Sequence, residues 1–243
     1  MKIHYGDKEK QFGILHTPKS DTPLPVIVVI HGGYWKDKNT FDIYPTKFIV
    51  NEYKEDYAIW DLEYRGIPES GEIELNEILN DIKLGFEHLT KLTNYNLDLR
   101  RILLIGHSAG GHLACWLLGE KLKTPPRNAI SISGVLDLEQ YHLLNEPSQV
   151  EKLLNNDFNK LPIANPASRG HGETNLTVIH GLEDETVPYT MATSYAERWK
   201  VELVLLKNCG HFEMLPLEKG IYWDELKLII QKNLKSLDEA RTM

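Results

Sequence analysis

Ser108 stands in Gly106-His107-Ser108-Ala109-Gly110, a G-x-S-x-G pentad. A serine hydroxyl attacks a carbonyl carbon well only when an imidazole takes its proton, and a carboxylate must fix that imidazole's tautomer and stabilise its charged form. Both groups follow downstream. His211 lies in Asn208-Cys209-Gly210-His211-Phe212, and Asp184 in Val178-Ile179-His180-Gly181-Leu182-Glu183-Asp184-Glu185-Thr186-Val187-Pro188. Glu183 and Glu185 flank Asp184 and are expected to face solvent. Asp137 is a further candidate for the acid. His107 and His112 are tied to the same turn as Ser108 and read as structural, one beneath the turn and one on the helix after it. Attack on a carbonyl builds negative charge on oxygen, and preorganised donors must meet it. His31-Gly32-Gly33-Tyr34-Trp35 offers a Gly-Gly turn whose backbone can curl inward. The N–H groups of Gly33, Tyr34 and Ala109 are assigned to that oxyanion hole, with His31 bracing the loop.

Secondary structure must place these residues. Val26–Ile30 and Ile102–Ile105 are almost wholly apolar, as strands buried on both faces would be. Tyr57–Leu62, Ala129–Ser133, Leu176–Ile179 and Val201–Leu206 read as further strands. Leu75, Ile78, Leu79, Ile82, Phe86 and Leu89 recur at helical spacing, Gly110–Glu120 reads as a buried helix, and Trp223, Leu226, Ile230 and Leu234 form the stripe of a closing helix. Strands alternating with helices predict an α/β fold: a mostly parallel sheet of about eight strands with helices on both faces and right-handed crossovers. Antiparallel edge strands are expected around Lys2–Tyr5 and Phe12–His16. In that frame Ser108 sits on a sharp strand-to-helix turn that pushes its hydroxyl out above the sheet, and serine, acid and histidine follow in the order such a fold requires. Residues 136–173 are polar and rich in Asn and Pro, and are expected to form a small cap over the sheet's carboxyl edge, where open α/β sheets bind ligands. The whole of 1–243 reads as one domain. Asp61-Leu62-Glu63-Tyr64-Arg65 is expected to hold a buried Arg–carboxylate pair supporting the oxyanion loop.

Composition narrows the classes. With 42% hydrophobic and 26% charged residues the chain is of ordinary globular type. A net charge of −8 disfavours a nucleic-acid partner, which would need a basic face. The longest apolar runs are far too short to span a membrane. Cys115 and Cys209 suggest no disulfide framework, and the polar start lacks the apolar core of a signal peptide, so a cytoplasmic location is expected. There is no H-E-x-x-H, no C-x-x-C and no strand-borne G-x-G-x-x-G, so neither metal nor cofactor is expected. The expected partner is a small molecule, and the chain is taken as a monomer or homodimer.

Taken together, HGGYW (31–35), LEYR (62–65), GHSAGGHLA (106–114), HGLEDETVP (180–188) and GHF (210–212) resemble the esterase and lipase branch of the α/β hydrolases. Within it they are most similar to kynurenine formamidase-like proteins and related bacterial carboxylesterases. The resemblance runs from about residue 25 to the closing helix and implies the α/β-hydrolase fold. It also implies a triad at Ser108, Asp184 and His211, with an oxyanion hole at Gly33 and Tyr34. The activity implied is hydrolysis of a carboxylic ester or of an N-formyl or aryl amide through an acyl-enzyme. The chain departs from many relatives in having HGGYW for HGGG, and Tyr64-Arg65-Gly66-Ile67-Pro68-Glu69 for YRLAPE. Two other readings share these motifs. One is a prolyl-oligopeptidase-like peptidase, which usually carries an additional N-terminal domain. The other is a non-catalytic ligand-binding pseudo-hydrolase, which commonly lacks the base or the nucleophile.

Overall fold

The computed structural model describes residues 1–69, 71–144, 149–215 and 222–239. In chain order the elements are β1 (Lys2–His4), β2 (Phe12–His16), β3 (Leu24–Ile30), α1 (Lys47–Tyr53), β4 (Ala58–Leu62), α2 (Leu75–Glu87), β5 (Leu97–His107), α3 (Ala109–Leu118) and β6 (Asn128–Ile132). Then come α4 (Leu138–Leu144), α5 (Gln149–Leu154), α6 (Leu161–Ala164), β7 (Asn175–Gly181), α7 (Tyr189–Trp199), β8 (Glu202–Leu206) and α8 (Trp223–Glu239). The strands form one eight-stranded sheet in the order β1-β2-β4-β3-β5-β6-β7-β8. β1 and β2 join antiparallel at the β4 edge, and the remaining neighbours are parallel.

The apolar runs face both ways because side chains alternate across a strand. Val26, Val28 and Ile30 point into one core with α2, α3 and α7, and Ile27 and Val29 point into the other with α1 and α8. α1 and α7 add to the helices read from the sequence. α7 buries Met191, Ala192, Tyr195 and Ala196 along one face. β5 is longer than its apolar run. A register shift at Pro25/Val26 lets the polar stretch from Leu97 pair with the start of β3.

Topology decides where a site can form. After β3 the chain crosses through α1 to β4 on one side, and after β5 it crosses through α3 to β6 on the other. The loops leaving β3 and β5 therefore diverge, opening a crevice at the carboxyl ends of two adjacent strands. Ile30 pairs with Gly106, so His31–Tyr34 and Ser108 emerge at the same level. β7 and β8 end at the paired residues Gly181 and Leu206, a few residues before Asp184 and His211.

Within 136–173 the chain forms α4, α5, α6 and two single 3₁₀ turns at 158–160 and 166–168, packed over the α2–α3 face. Residues 145–148 of that stretch lie outside the described residues. Among the described residues no helix is long and apolar enough to cross a membrane.

Candidate active site

Ser108 takes φ 55° and ψ −120°, a conformation that L-residues avoid. The strain is held from both sides. Its N–H donates to the Ile132 carbonyl at 2.9 Å, and its carbonyl accepts from His112 N–H at 3.0 Å. The two pentad glycines are required by close approach. A Cβ on Gly106 would run into the Gly110 carbonyl, and one on Gly110 into the carbonyls of Ile30 and His31. The amino end of α3 thus lies directly against the loop that follows β3.

That loop is also strained. Gly33, Tyr34 and Trp35 all have positive φ, at 108°, 58° and 56°. Asn39 fixes the turn by donating Nδ2–H to the Gly33 carbonyl at 2.6 Å. The N–H groups of Gly33, Tyr34 and Ala109 donate to no other group among the described residues. Unpaired donors beside a crevice are what a developing oxyanion needs.

His31 braces the loop as expected. Its Nδ1 bonds the Gly32 carbonyl at 2.9 Å, its Nε2 meets Glu63 Oε1 at 3.2 Å, and its ring stacks on Tyr64. Glu63 also accepts from the N–H groups of Tyr64 and Phe41. The expected Arg–carboxylate pair within 61–65 does not form. Arg65 turns away to Asp81 and Glu77 on α2, with both guanidinium bonds to Asp81 at 2.7 Å. Both residues lie beyond the end of β4 at Leu62, where strand alternation no longer sets direction: Glu63 bonds His31 in the loop, and Arg65 reaches α2. Asp61 lies in β4 with Oδ1 unpartnered, and burial, with Glu63 nearby, raises its pKa far above the usual carboxylate range.

The acid and base meet. His211 Nδ1 donates to Asp184 Oδ2 at 2.7 Å. Asp184 Oδ1 accepts the N–H groups of Thr186 at 2.9 Å and Val187 at 2.7 Å. His180 Nε2 stands 3.2 Å from Asp184 Oδ2 and 2.8 Å from the Val187 carbonyl. Burial alone would raise the Asp184 pKa; bonds from His180, His211 and Val187 outweigh it and hold the carboxyl below its ordinary range. Glu183 and Glu185 are exposed on either side. Asp137 instead caps α4, accepting from the N–H groups of Glu139 and Gln140 and from Asn165. Two backbone bonds, Leu182 N–H to Leu206 O and Glu183 N–H to Cys209 O, tie the acid loop to the histidine loop. With Nδ1 engaged, Nε2 of His211 is the nitrogen left to accept a proton. The ring packs on His107, the residue before Ser108, with centroids 4.9 Å apart. Ser108, Asp184 and His211 are all buried, with no more than 7% of each residue exposed.

A BD-FAE family model matches residues 13–198. The chain belongs to the BD-FAE family. The match runs from β2 into α7 and contains Ser108 and Asp184, whereas His211 lies beyond its end. The chain is 29% identical over 222 residues to a kynurenine formamidase of Aspergillus versicolor, covering 83% of this chain and 75% of that one. It is 23% identical over 256 residues to a probable isoprenylcysteine alpha-carbonyl methylesterase of Arabidopsis thaliana, covering 90% of this chain but only 52% of the relative. Among solved structures, esterase B of Lactobacillus rhamnosis superposes with a TM-score of 0.80 at 18% identity, over 99% of this chain and 85% of the other. The fold of this BD-FAE member is thus the α/β-hydrolase fold.

Several residues around the BD-FAE site take roles that their motifs do not state. His112 accepts Trp35 Nε1–H at 3.0 Å and bonds the Ala164 carbonyl at 3.0 Å, linking the strained loop to α6. Burial holds its pKa down at about 4. His180 supports Asp184 from the end of β7, a role visible only once the strand's last residue is known. Tyr44 lies in the irregular stretch before α1, where no periodicity marks it.

Proposed function

We propose that this protein is a serine hydrolase that cleaves a carboxylic ester or an N-formyl or aryl amide through an acyl-enzyme. Ser108 is the nucleophile, His211 the general base and Asp184 the residue that orients it. The N–H groups of Gly33, Tyr34 and Ala109 receive the oxyanion. The observation that carries this reading is the 2.7 Å Asp184–His211 bond, which leaves Nε2 free on a ring packed against His107, the residue before Ser108.

In the proposed sequence, Nε2 of His211 takes the Ser108 proton as Oγ bonds the substrate carbonyl carbon. The ionised Asp184 stabilises the imidazolium and keeps Nδ1–H directed at itself. The imidazolium gives its proton to the departing alcohol or amine, leaving the acyl group on Ser108. Water deprotonated by His211 then attacks that ester, and the acid product leaves with Ser108 reprotonated. Residues 136–173 are read as a cap over this site, within a single domain. The names of the Aspergillus and Arabidopsis relatives support ester or formamide substrates. Two free, buried cysteines support a location in a reducing compartment.

The test is turnover of N-formylkynurenine beside p-nitrophenyl acetate and dipeptidyl substrates. Hydrolysis of either of the first two, lost in Ser108→Ala, is the expected result. Dipeptide cleavage alone would favour the peptidase reading, and normal turnover by Ser108→Ala would remove Ser108 from the chemistry.

A further inference from the structure

Tyr44 belongs to no motif, yet its hydroxyl sits where three segments meet. It lies 2.8 Å from Nδ1 of His107. It faces the side chain of Ser108. It also packs beneath Gly32, where any Cβ would strike the phenol. His107 places its Nε2 2.9 Å from the carbonyl oxygen of His211. Tyr44 and His107 are both buried.

The protons can be assigned from these partners. A carbonyl only accepts, so Nε2 of His107 carries the hydrogen. A neutral imidazole has one N–H, so Nδ1 is bare and takes the Tyr44 hydroxyl proton. Burial, with His211 nearby, keeps His107 neutral down to a pKa of about 3. The Tyr44 hydrogen is therefore committed to His107, and its oxygen can only accept. It has no donor to offer an oxyanion, so its contribution is geometric.

We propose that Tyr44 is a positioning residue for the Ser108–His211 pair, acting through His107. This rests on the reading of Ser108 as nucleophile and His211 as base. The bond chain Tyr44 Oη–H to His107 Nδ1, then His107 Nε2–H to His211 O, spans the segment before α1, the serine turn and the base-bearing loop. These pieces are distant in sequence; ring packing of His107 and Tyr44 on His211 and Phe212 brings them together, and the bond chain fixes their register. A displacement of about 1 Å at such a junction costs on the order of 100-fold in rate.

Tyr44→Phe keeps the ring and removes only the hydroxyl. With p-nitrophenyl acetate its kcat is expected to fall about 10- to 100-fold, with KM close to wild type and a modestly lower melting temperature, because buried Nδ1 of His107 loses its partner. His107→Gln keeps a donor near the position of Nε2 but no acceptor near that of Nδ1, and is expected to show the same loss. Because both changes cut one chain, the double variant should fall no further than the worse single. Wild-type kcat in Tyr44→Phe, a rise in KM at unchanged kcat, or additive losses in the double variant would each overturn the proposal. If Tyr44→Phe does not fold, His107→Gln decides alone: a kcat loss at constant KM supports the proposal, and wild-type kcat refutes it. Turnover by Ser108→Ala is measured in the same series, and its persistence would strike the underlying reading rather than the role of Tyr44.

Discussion

At the amino ends of β6, β7 and β8 the chain surrounds a cavity of about 390 Å³ lined by Asn128, His171, Thr174, Lys200, Glu202 and Lys232. At the carboxyl ends of β3, β5, β7 and β8 it gathers Ser108, Asp184, His211 and the loop at 31–35. The first region is roomy and polar, but most of its polar side chains have partners. Asn128 Nδ2 donates to Asn233 O at 2.7 Å, the ring of His171 lies within hydrogen-bond reach of the Thr174 and Trp199 carbonyls, and Glu202 takes Lys232 and Thr177. The second region holds positive-φ residues, buried ionisable groups and three backbone donors with no partner among the described residues. Strain and unmet donors persist only where the surrounding structure over-determines them. On the proposed reading, chemistry belongs where unsatisfied groups converge rather than where volume is greatest.

The largest effect that could break this comparison is at Asp184. Asp184→Asn keeps the shape but cannot hold the His211 tautomer, and kcat is expected to fall by about 10⁴-fold with the fold intact. Steady-state kinetics beside a thermal melt checks this. A loss below tenfold would mean that the buried pair is structural.

The next effect is on stability and comes from the histidines that flank Ser108. The folded-state pKa values of His107 and His112 are depressed to about 3 and about 4, chiefly by burial. The unfolded chain binds these protons near pH 6.5 and the folded chain does not, so stability is fully present above pH 6.5 and declines as pH falls toward 4. At pH 5 each histidine is expected to have cost about 2 kcal/mol. Urea unfolding at pH 7, 6 and 5 measures the slope, and His112→Gln should make it shallower.

The smallest effect sharpens the comparison from the other end. Asn128→Ala breaks a buried amide network at the foot of the sheet. It is expected to lower stability by about 1–3 kcal/mol while leaving kcat on p-nitrophenyl acetate within about twofold, the surface-like independence expected of distant sites. A matching loss of kcat would show that the two ends are coupled.

Much of this site could be read from the chain because backbone conformation limits sequence. Gly106 and Gly110 announce the serine turn since no side chain fits between α3 and the loop after β3. Val26–Ile30 and Ile102–Ile105 announce strands buried on both faces. Position in the chain sets Asp184 apart from Glu183 and Glu185, and the fold adds a physical reason: the N–H groups of Thr186 and Val187 fold back on its carboxylate. Arg65 was assigned the wrong partner because sequence proximity to Asp61 and Glu63 says nothing about α2, which supplies Glu77 and Asp81. Tyr44, His112 and His180 were illegible as functional neighbours for a related reason. Tyr44 and His112 act through tertiary hydrogen bonds to segments far away in sequence, which no local spacing encodes, and His180 acts through a turn of its own loop that brings Asp184 and Val187 back onto its ring.

Labelling with a fluorophosphonate, followed by mass identification of the modified peptide, tests the central claim most directly. A nucleophile activated by a paired imidazole predicts one adduct, on Ser108, that disappears in Ser108→Ala and forms far more slowly in His211→Ala. An unmodified Ser108 in folded wild-type protein, or equal labelling in His211→Ala, would contradict it.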